Sequence, residues 1–307
     1  MEQAKNWKWS QFGELCNCQD LEDYLTGREY THGQYFHYTK LDIVDSILKN
    51  KKFWLSNVDG FNDTLDIKQF GQDPVPCFSL CFSTGIHENL PLWYLYSGLD
   101  GRGARICFTK TGIKKLVKNG RYSLRLFGPN EDQDGKEIMS LEDGKTMKLS
   151  FRDVIYFQSG DSKGKCALKY NTMTNYKIET EEFENYSQKN RGFQKGLIWY
   201  YEKETRLLVE LLGDAKKVWE EKSKENTIRV ILSFDETLLK HIRVTLAPNI
   251  ALSDKDDVLK DKEGICELME KTAVVQLSKY VGTINMRLCD RCKLKKNKQI
   301  NKESMNV

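Results

Sequence analysis

The 307-residue chain lacks the long apolar runs that would place it in a membrane. Its uninterrupted apolar stretches are only a few residues long, whereas a spanning helix needs about 20. The first residues, MEQAKNWKWSQFGELCNCQ, contain neither the apolar stretch of a signal peptide nor a small-residue cleavage pattern. We therefore expect a cytoplasmic protein that has no membrane partner.

The chain also lacks an excess of charge of one sign. Its 48 basic and 44 acidic residues leave a formal net charge of +4, so no global attraction to nucleic acid or anionic lipid is expected. Few prolines, 39% hydrophobic residues and 11% aromatic residues are typical of a globular protein with a sizeable core. The nine cysteines are an odd number in apolar contexts, which indicates reduced thiols rather than a disulfide framework.

Several catalytic signatures are missing as well. The chain has no H-E-x-x-H motif and no Ser/His/Asp order, and its glycine-rich stretch at 98–103 fits neither the P-loop nor the dinucleotide fingerprint. Cys289 and Cys292 form one C-x-x-C pair, which is half of a zinc ribbon. A second such pair is absent, so a zinc site would need Cys16 and Cys18, or Cys266, to complete it, and no metal site is predicted.

Hydrophobic periodicity and turn residues predict an α+β protein. Helices or helical turns are expected at 15–25, 40–50, 90–96, 111–118, 177–189, 235–241 and 257–271. Strands are expected at 34–39, 53–56, 77–83, 104–108, 121–127, 154–158, 167–170, 199–208, 228–234, 243–246 and 274–277. Thr39 is the expected N-cap of the second helix. The polar stretch 128–145 is predicted to be a mobile surface loop, and 213–226 a charged connection.

The chain shows neither internal repeats nor an interdomain linker. Residues 1–285 are therefore predicted to form a single α+β domain with an N-terminal helical extension. Residues 286–307 are basic and polar, and we expect this tail to be disordered.

The stretch WYYEKETRLL at 199–208 concentrates acidic and basic residues within an apolar segment. In a strand, Glu202, Glu204 and Arg206 would project from one face, because side chains alternate with a period of two. They form either a solvent-exposed ladder of charges or the floor of a site. The flanking aliphatic residues favour a central strand, in which buried acids need a partner or a function.

Three aromatic side chains have a functional and a structural interpretation. His37 follows Phe36 at the end of a strand, where it can point into a cleft, although a core histidine bonded to backbone is the commoner case. Tyr94 and Tyr96 are more often core residues than a ligand platform when each is considered alone.

Six short motifs occur in an order that resembles a widespread bacterial domain family of unknown function. That family reads Y-H-Y-T, F-N-D-P-F-E, C-F-S, M-W-x-x-Y-A, G-x-x-I-x-F and W-x-Y-E-x-E-x-R. The corresponding segments here are Tyr35 to Thr39, Phe61 to Asp63, Cys81 to Ser83, Trp93 to Tyr96, Gly103 to Phe108 and Lys195 to Arg206. The sequence departs mildly from the pattern at Thr64-Leu65-Asp66, Leu92 and Ser97.

More distantly, the series resembles ADP-ribosyltransferases, which implies split mixed or antiparallel sheets with peripheral helices. The resemblance implies that His37 binds a ribose hydroxyl of NAD, that Tyr96 stacks on nicotinamide, and that Glu204, with Glu202 beside it, faces the anomeric carbon. Arg206 would keep the acids ionised or bind pyrophosphate. The same motifs add four candidate NAD contacts: Tyr38, Thr39, Ser83 and Trp93.

The sequence-based hypothesis is an NAD-dependent ADP-ribosyltransferase-like enzyme with a protein or nucleic-acid acceptor, in the role of a bacterial conflict or defence effector. One alternative is a non-catalytic protein that binds a nucleotide or nucleic acid, with the basic tail at 293–302 adding contacts. A further alternative is a metal-dependent nuclease that uses Asp63, Glu202 and Glu204.

Overall fold

The fold is α+β, as the sequence predicted, and its strands pair mostly antiparallel. A computed structural model describes residues 17–25, 29–61, 76–85, 87–96, 103–127, 135–158, 164–169, 176–248 and 274–278. Its α-helices are α1 (Cys18–Leu25), α2 (Leu41–Asn50), α3 (Leu90–Tyr96), α4 (Lys110–Asn119), α5 (Thr180–Lys189) and α6 (Gly213–Lys222). Short 3-10 helices span Val58–Gly60, Leu197–Glu202 and Glu236–His241.

Fifteen strands are found in the described part of the chain. They are β1 (Gln34–Lys40), β2 (Lys52–Asn57), β3 (Cys77–Thr84), β4 (Gly103–Thr109), β5 (Arg121–Phe127), β6 (Lys136–Leu141), β7 (Met147–Asp153), β8 (Ile155–Gln158), β9 (Lys165–Lys169), β10 (Tyr176–Glu179), β11 (Gln194–Gly196), β12 (Glu204–Leu211), β13 (Thr227–Ser233), β14 (Ile242–Leu246) and β15 (Val274–Leu277).

The strands form one large sheet and one small sheet. The large sheet has eleven strands in the order β15-β14-β4-β1-β3-β2-β13-β5-β6, and β12 joins it by pairing with β3 and β7. The small sheet has the order β10-β9-β8-β11. Only the pairs β14 with β15 and β8 with β11 are parallel among the described strands.

The large sheet splits between β1 and β2. Strand β12 pairs with β3 along nearly its whole length, so β1 and β2 must share the other edge of β3. Strand β1 pairs there only through Tyr35 and Phe36, at the end of β3. Strand β2 pairs only through Ser56 and Asn57, near the start of β3. The two strands therefore diverge from β3, and helix α2 connects their far ends.

Helix α2 follows the predicted apolar spacing but not the predicted cap. Leu41, Val44, Ile47 and Leu48 are all buried, as expected for one face of a helix. Thr39 was the wrong choice of N-cap: it stays in β1, and Lys40 occupies the cap position without a side-chain hydrogen bond. The extended strand continues to Lys40 because β1 pairs with β4 as far as that residue.

The main hydrophobic core lies on one face of the large sheet. Phe53, Phe82, Phe108 and Leu207 belong to this cluster of buried side chains. Strand β12 shows why the faces differ: Leu207 and Val209 point into the core, whereas Glu204 and Arg206 point to the other face. A separate cluster joins α1 and α5 to the small sheet.

Three predicted segments were wrong in part. The stretch 128–145 includes strand β6, which pairs with β5. Residues 176–179 form strand β10, so the acidic helix begins at Thr180 rather than at 177. The charged connection at 213–226 contains helix α6, whose Ala215 and Trp219 pack into the core.

Other predictions fall outside the described residues. These are the helix at 257–271, the tail at 286–307 and the pair Cys289 and Cys292. The proposed boundaries of a single domain at 1–285 stay a prediction. Among the helices that the structure describes, none combines the length and apolarity needed to cross a membrane.

Candidate functional site

A cavity of about 770 Å³ occupies the split between β1 and β2. Its walls are these two strands and α2, and its floor is the segment of β3 from Ser79 to Ser83. The acidic and basic side chains at the start of β12 also line it. The cavity exists because β1 and β2 leave β3 in different directions, and the core residues Phe53, Leu80 and Phe82 line it as well.

Four buried charged side chains form the polar end of the cavity. Glu204 accepts hydrogen bonds from Arg206 through both oxygens, at 2.8 Å from Nε and 3.0 Å from a terminal nitrogen. Lys195 Nζ lies 2.6 Å from Glu202 Oε2 and 3.4 Å from Glu204 Oε2. Two acids and two bases give this charged cluster a net charge of zero. This neutrality lowers the free-energy cost of removing the four charges from water.

The two carboxyl groups of the charged cluster have different proton affinities. Burial alone would raise the pKa of Glu204, but the adjacent Arg206 and Lys195 lower it to about 2. For Glu202, burial and the nearby charge of Glu204 raise the pKa above its ordinary value, against the opposing effect of Lys195. Glu204 is therefore the fixed anion, and Glu202 is the carboxyl group of the pair that binds a proton more readily.

Glu202 reaches the cluster from a turn and not from a strand. The sequence-based expectation that Glu202, Glu204 and Arg206 share one strand face was wrong for Glu202, which ends the 3-10 helix Leu197–Glu202. Lys203 then adopts a left-handed conformation, with φ 45°. The turn is fixed from β3, because Ser83 Oγ donates to the Glu202 carbonyl at 2.6 Å.

Tyr96 and His37 contact different walls of the same cavity. The Tyr96 hydroxyl donates to Glu202 Oε1 at 3.0 Å, while 38% of the residue stays exposed at the end of α3. His37 Nδ1 lies 3.0 Å from the backbone carbonyl of Cys81. A carbonyl can only accept, so Nδ1 carries the proton and Nε2 is the acceptor of a neutral ring. Burial lowers the pKa of His37, which favours this neutral form.

The structure brings together most of the residues that the sequence singled out. Glu202, Glu204, His37, Tyr96 and Arg206 line the cavity, as do the lesser candidates Tyr38, Thr39 and Ser83. Trp93 does not line it. Its side chain is fully buried, packs edge to face on Tyr38 at 4.8 Å, and donates from Nε1 to Glu88 at 3.2 Å.

Sequence reasoning missed one member of the charged cluster, Lys195, and one residue beside it, Tyr156. Lys195 belongs to the last motif of the series. Its seven-residue separation from Glu202 does not indicate contact, so the sequence suggests no role for it. Tyr156, on β8, accepts a hydrogen bond from the Glu204 backbone N–H at 2.7 Å. Only the docking of the small sheet brings β8 and β11 beside β12, so no local sequence signal marks either residue.

In comparisons with known proteins, no family model, curated protein or solved structure matches this chain. The resemblances in motif order described above therefore stay predictions.

Within the described ranges, no group of three or more His, Cys, Asp or Glu side chains is arranged to hold a metal ion. Asp63, which the nuclease alternative requires, lies outside those ranges.

The charged cluster makes stability depend on pH in a defined direction. The pKa of Glu204 is lowered from 4.5 to about 2. Its contribution to the free energy of unfolding is therefore present above pH 4.5 and is lost as the pH falls toward 2. The corresponding free energy is roughly 3 kcal/mol. Glu202 has the opposite sign: its raised pKa means that its contribution is lost as the pH rises above 4.5.

We expect Glu204→Gln to flatten the acid limb of the stability profile. Urea unfolding of wild type and variant at intervals between pH 2.5 and pH 5 measures the slope. Glu210→Gln, on the same strand but exposed, is the matched control and should keep the wild-type slope. An unchanged slope in Glu204→Gln would show that the carboxyl is not held ionised as described.

Proposed function

We propose that this protein cleaves the bond between nicotinamide and ribose in NAD and transfers ADP-ribose to a protein or nucleic-acid acceptor. The observation that supports this function best is the meeting of His37, Tyr96, Glu202 and Glu204 around one cavity. An ADP-ribosyltransferase-like fold is part of the proposal, and the split of a mostly antiparallel sheet at β1 and β2 is consistent with it. A role as a bacterial defence effector also belongs to the proposal.

The chemistry of NAD fits a site with ionised carboxyl groups. Nicotinamide is bound to ribose as a cation and leaves as a neutral molecule with the electron pair of the broken bond, so it needs no general acid. The transition state resembles an oxocarbenium ion, which a fixed carboxylate stabilises. Glu204 has that character, because Arg206 and Lys195 hold its position and keep it ionised.

The other side chains take complementary roles in this proposal. His37 Nε2 accepts a hydrogen bond from a ribose hydroxyl, and the exposed part of the Tyr96 ring packs on nicotinamide. Glu202 accepts the proton that the acceptor loses when its oxygen or nitrogen bonds to the anomeric carbon. Its raised pKa makes it a better base than an ordinary glutamate at neutral pH.

The proposed reaction is tested with purified protein and NAD labelled in the adenylate half. We expect nicotinamide release by the wild type, and transfer of label when an acceptor is present. Glu202→Gln should lower the rate of nicotinamide release about 100-fold or more, which is the usual contribution of a general base. Nicotinamide is measured by liquid chromatography, and circular dichroism shows whether the variant is folded.

The matched control for this assay is Glu210→Gln, an exposed acid of the same strand β12, which should keep the wild-type rate. An inert wild type, or a Glu202→Gln variant as active as the wild type, would remove the transferase proposal.

The contacts of Glu204 favour a second candidate, a nucleotide-binding protein without turnover. Both of its oxygens already accept from Arg206, and Oε2 also contacts Lys195. A carboxylate with so many partners has less charge to offer a transition state. In that case NAD would raise the melting temperature and would be recovered intact after incubation.

A further inference from the structure

The outer end of the cavity carries a half-exposed tryptophan. Trp54 on β2 is 45% exposed and lines the same cavity as the charged cluster. Because side chains alternate along β2, Lys52 and Ser56 lie on the same face as Trp54, and both also line the cavity. Large aromatic side chains left open inside a concave site offer a flat surface for stacking.

An arginine on the neighbouring strand is held beside this ring. Strand β13 pairs with β2 so that Val230 lies opposite Leu55, which puts Arg229 diagonal to Trp54. The guanidinium carbon of Arg229 lies 5.1 Å from the Trp54 ring centroid and 5.9 Å from that of Phe127. Contact with two rings restricts the side chain before any ligand binds, which lowers the entropy cost of using it.

We infer that Trp54 and Arg229 form a nucleotide subsite, in which a nucleobase stacks on Trp54 and its phosphate binds Arg229. Lys52, on the same wall, adds a second positive charge. Arginine suits phosphate because its planar donors match phosphate oxygens, and a base on an aromatic ring contributes about 1–3 kcal/mol. Asp42 of α2 also lines the cavity and is an acceptor for ribose hydroxyls.

The subsite depends on the proposed function in one respect only: the identity of the reaction at the other end of the cavity. The nucleotide has two possible sources that share this chemistry. One is the adenylate half of the same NAD molecule, since a single cavity connects Trp54 with Glu202 and Glu204. The other is a nucleotide of a nucleic-acid acceptor.

The subsite is tested by calorimetric titration of the full chain with AMP and, separately, with a short single-stranded oligonucleotide. We expect Trp54→Ala to weaken binding at least tenfold and Trp54→Phe to weaken it less. Arg229→Gln should weaken AMP binding but leave adenosine binding unchanged. Tyr94→Ala is the matched control, because Tyr94 is 43% exposed but does not line the cavity.

The results also distinguish the two sources. AMP binding that depends on Trp54 and competes with NAD identifies the adenylate half of NAD. Oligonucleotide binding that depends on Trp54 but does not compete with NAD identifies the acceptor. If neither ligand binds, or if binding is the same in Trp54→Ala, the subsite is refuted.

Nicotinamide release is measured on the same samples. A protein that binds AMP through Trp54 but never releases nicotinamide refutes the transferase and leaves the subsite intact. An enzyme that releases nicotinamide but whose AMP affinity is unchanged in Trp54→Ala refutes the subsite and leaves the transferase intact.

Discussion

Replacing Arg206 with methionine is expected to lower the free energy of unfolding by about 3–5 kcal/mol. The guanidinium binds both oxygens of Glu204 and donates to the Gly192 carbonyl at 2.7 Å. It is almost completely buried and lies 4.8 Å from the ring of Phe61. Methionine replaces much of the volume but removes the charge, so the charged cluster changes from neutral to a net charge of −1 in a buried place.

Chemical denaturation of the variant at pH 7 measures this loss. The double variant Glu204→Gln with Arg206→Met should lose less than Arg206→Met alone, because it leaves Lys195 and Glu202 as a balanced pair. Lys217→Met is the surface control: Lys217 and Asp214 form an exposed pair at 3.2 Å, and such pairs contribute at most about 1 kcal/mol. A loss of less than 1 kcal/mol in Arg206→Met would contradict the buried ion pairs.

The second large effect is expected for Trp93→Ala, with a loss of about 3–5 kcal/mol in the free energy of unfolding. Trp93 is fully buried and anchors α3 on Tyr38. Its indole N–H is a hydrogen-bond donor to Glu88. Truncation leaves both a cavity and a buried carboxylate with one donor fewer. Thermal and urea unfolding measure the effect.

The neighbouring residue supplies the control for this variant. Tyr94→Ala removes a ring that is 43% exposed and should change stability by less than about 0.5 kcal/mol. Trp93→Phe should fall between the two, because it keeps most of the packing but loses the donor. If Trp93→Ala instead kept full stability and lost only NAD affinity, Trp93 would be a ligand contact, as the motif resemblance implies.

The sequence predicts those elements whose residues take their roles from neighbours in the chain. Helix α2 was predictable because Leu41, Val44, Ile47 and Leu48 repeat at helical spacing, and β3 because the residues at 77–83 alternate as in a strand. The start of β12 was not predictable. The aromatic residues at 199–201 suit a strand, but hydrogen bonds from Ser83 and Thr84 to the carbonyls of Glu202 and Lys203 fix a turn there.

For the site, the sequence by itself determined which side chains were available: two acids and an arginine within five residues, a histidine after a strand, and a tyrosine at the end of a short helix. Tertiary structure alone decided that β1 and β2 diverge from β3, that Lys195 completes the charge balance, and that Trp54 opens into the same cavity. The physical reason is that strand pairing and charge neutralisation act between residues far apart in the chain, such as the paired Phe36 and Ser83, whose contact no local pattern encodes.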